Sequence, residues 1–294
     1  MATSASWATA DFDHFMHTLS PPAGPPTKST RLALAIVLVC ALSGCQALRP
    51  TNDANWSPDQ AVLPTAEYHG NLVTVHNVRN CDYRSTTDYV VRHEDRTYDL
   101  NDLRSVDFIV VPFKEAPQLA HTMLSFGFDH DDYLAVSVEI RKRRDESFSA
   151  WKGMFPHYEI MYVAADERDV IALRTNHRHD DVYVHRTRAT PEQARALFVD
   201  VVARMNKLAV EPEYYNTFTN NCTTNIRRHV NDLAPGRVPY DYRVMMPGYS
   251  DQMAYNLGML ATSEPFPLAR EHARVNELAF RYREAPDFSR QIRR

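Results

Sequence analysis

The chain places strand-forming segments first and clear helical periodicity later, which limits the fold classes that it can adopt. Six segments are rich in β-branched and aromatic residues or alternate as half-buried strands do. They are residues 72–78, 106–113, 121–128, 133–140, 158–163 and 181–186. A helix then follows, with Thr190 as its cap, Pro191 in its first turn, Gln193 completing a capping box, and Pro212 beyond its end. This order predicts an α+β domain on a largely antiparallel sheet.

Two of the predicted strands form a hairpin that brings a histidine beside a carboxylate. A three-residue turn at 129–131 would pair Phe128 with Asp132, and the same register sets His121 opposite Glu139. A carboxylate beside an imidazole fixes its tautomer, as the third member of a catalytic triad does. An ion pair on an exposed sheet face is the alternative, and a register slip of one residue would separate the two side chains.

The polar run at residues 220–225, NNCTTN, sets Cys222 where a second helical segment begins. A sulfur at the first turn of a helix feels unpaired N–H groups and the positive end of the helix dipole, which favour the nucleophilic thiolate. In this interpretation the backbone N–H of Cys222, with Asn220 or Asn221, would stabilise an oxyanion. A small buried core cysteine is the alternative.

The beginning of the chain predicts export and anchoring. Lys28 and Arg31 precede eleven apolar residues at 32–42, too few to span a bilayer but typical of a signal peptide. The segment 42–45, LSGC, resembles a bacterial lipobox, so we expect a signal peptide at 1–45 and lipidation of Cys45. A plain secretory signal is the alternative, and Met16 is a second candidate start. Gln46 after the cysteine favours the periplasmic face of the outer membrane.

The remaining sequence is predicted to divide into a polar tether at 46–68 and one domain at 69–294. The net charge of −4 gives no reason to expect nucleic-acid binding. An oxidising compartment would permit one bridge, Cys81–Cys222, as an alternative to free thiols. The histidine and aspartate clusters at 177–181 and 129–132 lack the spacing of a metal site, and we predict no metal and no cofactor.

Several segments together resemble the Lnb N-terminal periplasmic domain family of bacterial envelope proteins. In chain order with the NNCTTN motif they are residues 76–80 (HNVRN), 97–100 (TYDL), 120–128 (AHTMLSFGF), 137–141 (SVEIR), 166–170 (DERDV), 247–251 (PGYSD) and 255–258 (YNLG). The resemblance extends from about His69 to the end of the chain, and so covers nearly all of the predicted mature protein.

The resemblance implies a permuted papain-like fold, in which a mainly antiparallel sheet packs against a cysteine-bearing helix and the histidine strand precedes it. It also implies cysteine-dependent acyl transfer, with Cys222 as nucleophile, His121 as base and Glu139 as the orienting residue. The partners would be phospholipid or lipoprotein substrates, with the membrane reached through lipidated Cys45. A periplasmic cysteine hydrolase or peptidase, and a non-catalytic envelope module, are the alternatives. Membrane helices that follow the periplasmic domain in the Lnb acyltransferases have no counterpart in this sequence.

Overall fold

The computed structural model describes residues 49–147 and 152–294. The strands within them are β1 (Thr65–His69), β2 (Leu72–Arg79), β3 (Asp82–Tyr83), β4 (Tyr89–Val90), β5 (His93–Asp99), β6 (Leu103–Phe113), β7 (Ala116–Phe128), β8 (Tyr133–Arg141), β9 (Glu159–Asp166) and β10 (Tyr183–Arg186). The α-helices are α1 (Glu167–Ala172), α2 (Pro191–Val210), α3 (Cys222–Leu233), α4 (Tyr242–Met245), α5 (Ser250–Asn256), α6 (Phe266–His272), α7 (Asn276–Arg281) and α8 (Phe288–Gln291). A π-helical segment, Leu173–His177, continues α1.

One large sheet organises the domain. Its strands follow the order β1-β2-β9-β8-β7-β6-β10, and β5 pairs with β2 off this path. All of these neighbours are antiparallel except β2 and β9, which meet through a single parallel pair, Arg79 with Ala165. The predicted mainly antiparallel α+β class is therefore confirmed. The permuted papain-like arrangement stays a prediction.

The six strands predicted from sequence all occur, with ends that differ by a few residues. The structure adds β1, β3, β4 and β5, which are short or carry many charged residues. The predicted cap of α2 is also confirmed: the hydroxyl of Thr190 accepts from the N–H of Gln193 at 3.3 Å, and the Gln193 side chain accepts from the N–H of Thr190 at 3.0 Å. Local capping chemistry therefore determines where this helix begins.

Two hydrophobic cores lie on opposite faces of the sheet, because neighbouring residues of a strand point to opposite sides. On β7, Leu124 and Phe126 pack in the core beneath α2, with Phe198 of that helix. Met123 belongs to the other core, beneath α1 and α7, together with Val170 and Ala279. We call these the α2–α3 face and the α1–α7 face.

The structure describes part of the predicted tether at 46–68, and residues from Pro50 onward belong to the same compact unit as the rest of the domain. Trp56 is only 6% exposed, its indole N–H donates to Asn52 at 2.9 Å, and the guanidinium of Arg141 stacks on its ring at 4.3 Å. A single aromatic residue in a polar run has no periodicity, so the sequence pattern did not reveal this packing. The predicted signal peptide at 1–45 and the lipidation site Cys45 lie outside the described residues.

Trp56→Ala is expected to lower the free energy of unfolding by about 3 kcal/mol, because the buried indole and its stacking contact with Arg141 are lost. Urea denaturation followed by circular dichroism measures this change. Phe155→Ala is the matched control, since that ring is 62% exposed. Equal, small effects of the two substitutions would show that the segment around Trp56 does not pack on the domain.

Candidate functional site

Cys222 is the first residue of α3, and a capping box fixes the start of this helix. The side chain of Asn221 accepts from the N–H of Thr224 at 2.8 Å, and the Thr224 hydroxyl accepts from the N–H of Asn221 at 2.8 Å. The N–H groups of Cys222 and Thr223 have no carbonyl one turn earlier within the helix to accept from them. These two donors, rather than side-chain amides, are therefore the ones available to an oxyanion beside the sulfur.

The structure uses the side chains of Asn220 and Asn221 differently from the predicted oxyanion role. The amide of Asn220 donates to the carbonyl of Tyr214 at 2.9 Å, and that of Asn221 donates to the carbonyl of Thr217 at 2.5 Å. Both amides hold the loop that precedes α3. The run of polar residues around the cysteine is thus explained by turn and cap formation, which sequence reasoning had ascribed to anion binding.

Cys222 is buried on the α2–α3 face. Its side chain is 7% exposed, and its Sγ lies 3.8 Å from the hydroxyl of Thr223. That hydroxyl lies 3.1 Å from the hydroxyl of Thr122 on β7. Cys81 and Cys222 are both free and buried, so the bridge considered as an alternative is not formed. Burial, together with the nearby carboxylate of Asp169, raises the pKa of the Cys81 thiol to about 12, which keeps that thiol protonated at neutral pH.

The predicted hairpin register is present in the structure. Phe126 pairs with Leu134 and Met123 with Ser137, so continuing the same register sets His121 opposite Glu139. The Nε2 atom of His121 lies 2.7 Å from the hydroxyl of Ser137, which donates to Glu139 Oε1 at 2.8 Å. His121 Nε2 and Glu139 Oε1 are 3.9 Å apart. Ser137 therefore links the two side chains, a role that the hairpin register alone does not reveal.

Arginines surround this pair and set its charge state. Glu139 accepts from Arg174 at 3.3 Å, and Arg79 lies close enough to act on it through space. Although burial opposes ionisation, Arg79 and Arg174 hold the pKa of Glu139 well below its usual range. Burial lowers the pKa of His121 to about 3. The positive charge of Arg174 adds to this effect, and the negative charge of Glu139 opposes it. The pair is thus a neutral imidazole beside an ionised carboxylate at neutral pH.

The structure does not bring His121 to Cys222. The partners of His121 lie on the α1–α7 face, where Ser137 pairs with Met123. Cys222 lies in the core of the α2–α3 face, and it is Thr122, the next residue of β7, that reaches toward α3. The sheet itself therefore separates the predicted base from the predicted nucleophile. The hairpin register correctly placed His121 and Glu139 on one face, but nothing in it indicates which face the cysteine helix covers.

A buried chain of hydrogen bonds runs along α3 toward Cys222, and sequence reasoning missed it. His229 bonds through Nδ1 to Asp200 of α2 at 2.6 Å and through Nε2 to the hydroxyl of Tyr162 at 2.6 Å. Tyr162 also bonds to Asn225 at 3.3 Å. The amide of Asn225 in turn donates to the backbone carbonyl of Asn221 at 2.8 Å. The spacing of residues 222, 225 and 229 indicates that they share one face of α3, but it does not indicate which residues of α2 and the sheet they contact.

An apolar pocket lies beside the cysteine, between the sheet and helices α2, α3 and α5. Its volume is about 660 Å³, within the range of ligand-binding pockets. Most of the wall is hydrophobic, with Phe108 and Leu124 from the sheet, Ile226 from α3 and Met253 from α5. Thr223 forms part of the wall, and its hydroxyl lies 3.8 Å from the sulfur of Cys222.

The other polar clusters that the sequence suggested carry no metal site. Among residues 49–147 and 152–294, no group of three histidine, cysteine or acidic side chains is arranged to hold a metal ion. Asp129–Asp131 forms a 3₁₀ turn with His130 in the left-handed region, as the hairpin requires. No described helix is long and apolar enough to cross a membrane.

The sequence matches the family described as the Lnb N-terminal periplasmic domain over residues 89–248, more than half of the chain. The chain belongs to this family. The Lnb-type match includes His121, Glu139 and Cys222, and is shorter than the resemblance suggested, since it stops at Gly248. No curated protein and no solved structure matches the chain. Membership identifies a periplasmic domain of the bacterial envelope.

The stability of this Lnb-type domain should depend on pH through His121. Its pKa is about 3 in the folded state, against an ordinary value of 6.5, so between these values the unfolded chain binds a proton that the folded domain does not. The stabilisation that this pKa difference adds to the free energy of unfolding is fully present above pH 6.5. It is lost at about 1.4 kcal/mol per pH unit as the pH falls toward 3. His121→Gln should remove this slope in urea denaturation between pH 7 and 4.

His69→Gln is the control for that titration, because the side chain of His69 is 68% exposed. It should leave in place the slope that His121 contributes to the unfolding free energy. If His121→Gln and His69→Gln gave the same curve, the imidazole of His121 would not be held neutral by the fold.

Tyr162→Phe is expected to cost about 1–3 kcal/mol of unfolding free energy, because His229 and Asn225 would each keep a buried polar atom without its partner. Denaturant titration measures the loss. Tyr68→Phe removes a hydroxyl from a ring that is 40% exposed and should change stability by less than about 0.5 kcal/mol. An equally small effect at Tyr162 would show that the chain of hydrogen bonds carries no net stability.

Proposed function

We propose that this periplasmic envelope protein binds an acyl chain of an envelope lipid in the apolar pocket and transfers the acyl group through Cys222. The observation that carries the proposal is the position of Thr223, which lines the pocket and touches the sulfur. Each methylene that leaves water for the pocket contributes about 0.8 kcal/mol, so an acyl chain suits this wall far better than a polar peptide does.

The chemistry is a two-step exchange at the sulfur. The Cys222 sulfur attacks the ester carbonyl, the thiol proton passes to the departing glycerol oxygen, and an acyl thioester and a lysophospholipid remain. An amine or water then attacks the thioester carbon, the sulfur–carbon bond breaks, and a proton returns to the sulfur. The N–H groups of Cys222 and Thr223 are suited to stabilise the oxyanion in both steps, and such a donor is worth roughly 3–4 kcal/mol.

His121 and Glu139 have no part in proton transfer in this proposal, because they lie on the other face of the sheet from the sulfur. Their separation also favours a second candidate function, a non-catalytic lipid-binding module of the envelope. The predicted peptidase or hydrolase of muropeptides finds less support, since the pocket beside Cys222 is mostly apolar. A lipid anchor at Cys45 and placement at the outer membrane remain proposals of the same kind.

The test is peptide mass spectrometry of the protein after incubation with phospholipid, and separately with muropeptides. Acyl transfer predicts an acyl adduct on Cys222, released by hydroxylamine, that forms only with phospholipid. Cys222→Ala should abolish the adduct. Cys81→Ala is the matched control, since it removes the other buried thiol of the described residues, and it should leave the adduct unchanged.

The alternative results decide between the remaining functions. An adduct that forms only with muropeptides would show a peptide-directed enzyme. Phospholipid binding without any adduct would show a binding module and would contradict acyl transfer. An adduct that survives in Cys222→Ala would place the nucleophile elsewhere in the chain.

A further inference from the structure

A second, polar pocket lies along α3 and adjoins the apolar one. Its volume is about 290 Å³, and its wall includes Thr219, Thr224, Arg227, Arg228 and Tyr240. Arg227 lines both pockets, so the two share a boundary. Asp232 is the one acidic residue of the wall, and the pocket therefore has more positive than negative charge.

The two arginines are free to take an anion. Neither forms a hydrogen bond or an ion pair with a carboxylate within residues 49–147 and 152–294, whereas Arg79, Arg174 and Arg204 are all paired. The Nε atom of Arg227 is buried and has no hydrogen-bond partner there. The guanidinium carbon of Arg227 lies over the ring of Tyr240, 5.3 Å from its centre. A buried donor without a partner is costly, and an anion would relieve that cost.

Helix geometry sets the arginines one turn beyond the threonines that flank the site. Thr223 and Arg227, and likewise Thr224 and Arg228, are neighbours at a spacing of four residues. Arg227 lies five residues after Cys222, about 7.5 Å further along α3 and about 140° around it, on the side of the helix that the two pockets share.

We propose that Arg227 and Arg228 bind the phosphate of a phospholipid whose acyl chain lies in the apolar pocket. This proposal rests on the proposed function. A guanidinium fork matches phosphate oxygens in pairs, and such charge-assisted hydrogen bonds are stronger than neutral ones. The shared boundary at Arg227 would let the acyl chain lie in the apolar pocket while the phosphate reaches the polar one.

Isothermal titration of the full chain with three ligands tests the proposal: dioctanoylphosphatidylglycerol, dioctanoylglycerol, which lacks the phosphate, and glycerol phosphate, which lacks the tails. The phospholipid should bind at least about tenfold more tightly than dioctanoylglycerol. Arg227→Gln/Arg228→Gln should remove that advantage, and Arg228→Gln, at a residue outside the wall of the apolar pocket, should leave the affinity for dioctanoylglycerol unchanged.

Two further variants keep the test decisive. Arg228→Gln alone changes an exposed side chain, so the fold is retained, and it should weaken phospholipid binding in part. Arg281→Gln removes an equal charge from α7, on the far side of the sheet, and should have no effect.

Each result counts for or against the phosphate site. Equal losses for phospholipid and dioctanoylglycerol, or no loss in the double variant, would overturn it while leaving acyl binding in place. Glycerol phosphate that binds through the arginines without either lipid binding would support a phosphate site but contradict a lipid source. If no phosphate-bearing ligand binds, the proposal is wrong, and the adduct on Cys222 still tests the proposed function separately.

Discussion

The alternation of side chains along β7 is the constraint on which the rest of the structure depends. His121 and Thr122 are neighbours in sequence, and a pleated strand must send them to opposite faces. Thr122 reaches Thr223 beneath α3, while His121 bonds to Ser137 beneath the helices of the other side. The domain therefore has two separate polar centres, one at the cysteine and one at the histidine, with a sheet between them.

The two faces differ in the chemistry that they can support. The α1–α7 face holds charges in pairs, with Arg79 on Asp169 at 2.7 Å and Arg174 on Glu139 at 3.3 Å. Each of these ions is compensated by its neighbour, and removing one partner would leave a buried charge alone. The α2–α3 face instead holds a free thiol and an apolar pocket, and the adjoining polar pocket is lined by two arginines that pair with no carboxylate among the described residues. A molecule with a long apolar tail and an anionic group fits that second combination.

Local signals in the sequence predicted much of the fold, because each depends on residues close together in the chain. The cap at Thr190 and the hairpin that sets His121 opposite Glu139 are of this kind. The packing of Trp56 on Arg141 and the contact of His229 with Asp200 join distant segments, and no periodicity encodes them. The face of the sheet beneath the cysteine helix is likewise a long-range property. Period-two alternation identifies which residues share a face, and it leaves open which helix covers them.

The separation of His121 from Cys222 by the sheet is tested most directly by the rate at which iodoacetamide alkylates Cys222. Peptide mass spectrometry follows this rate across pH. The protein and its His121→Gln variant should give superimposable rate profiles, because the imidazole lies on the other face of the sheet from the sulfur. A variant that reacts about a hundredfold more slowly at neutral pH would contradict the account, since a loss of that size is typical of removing a general base in contact with its nucleophile.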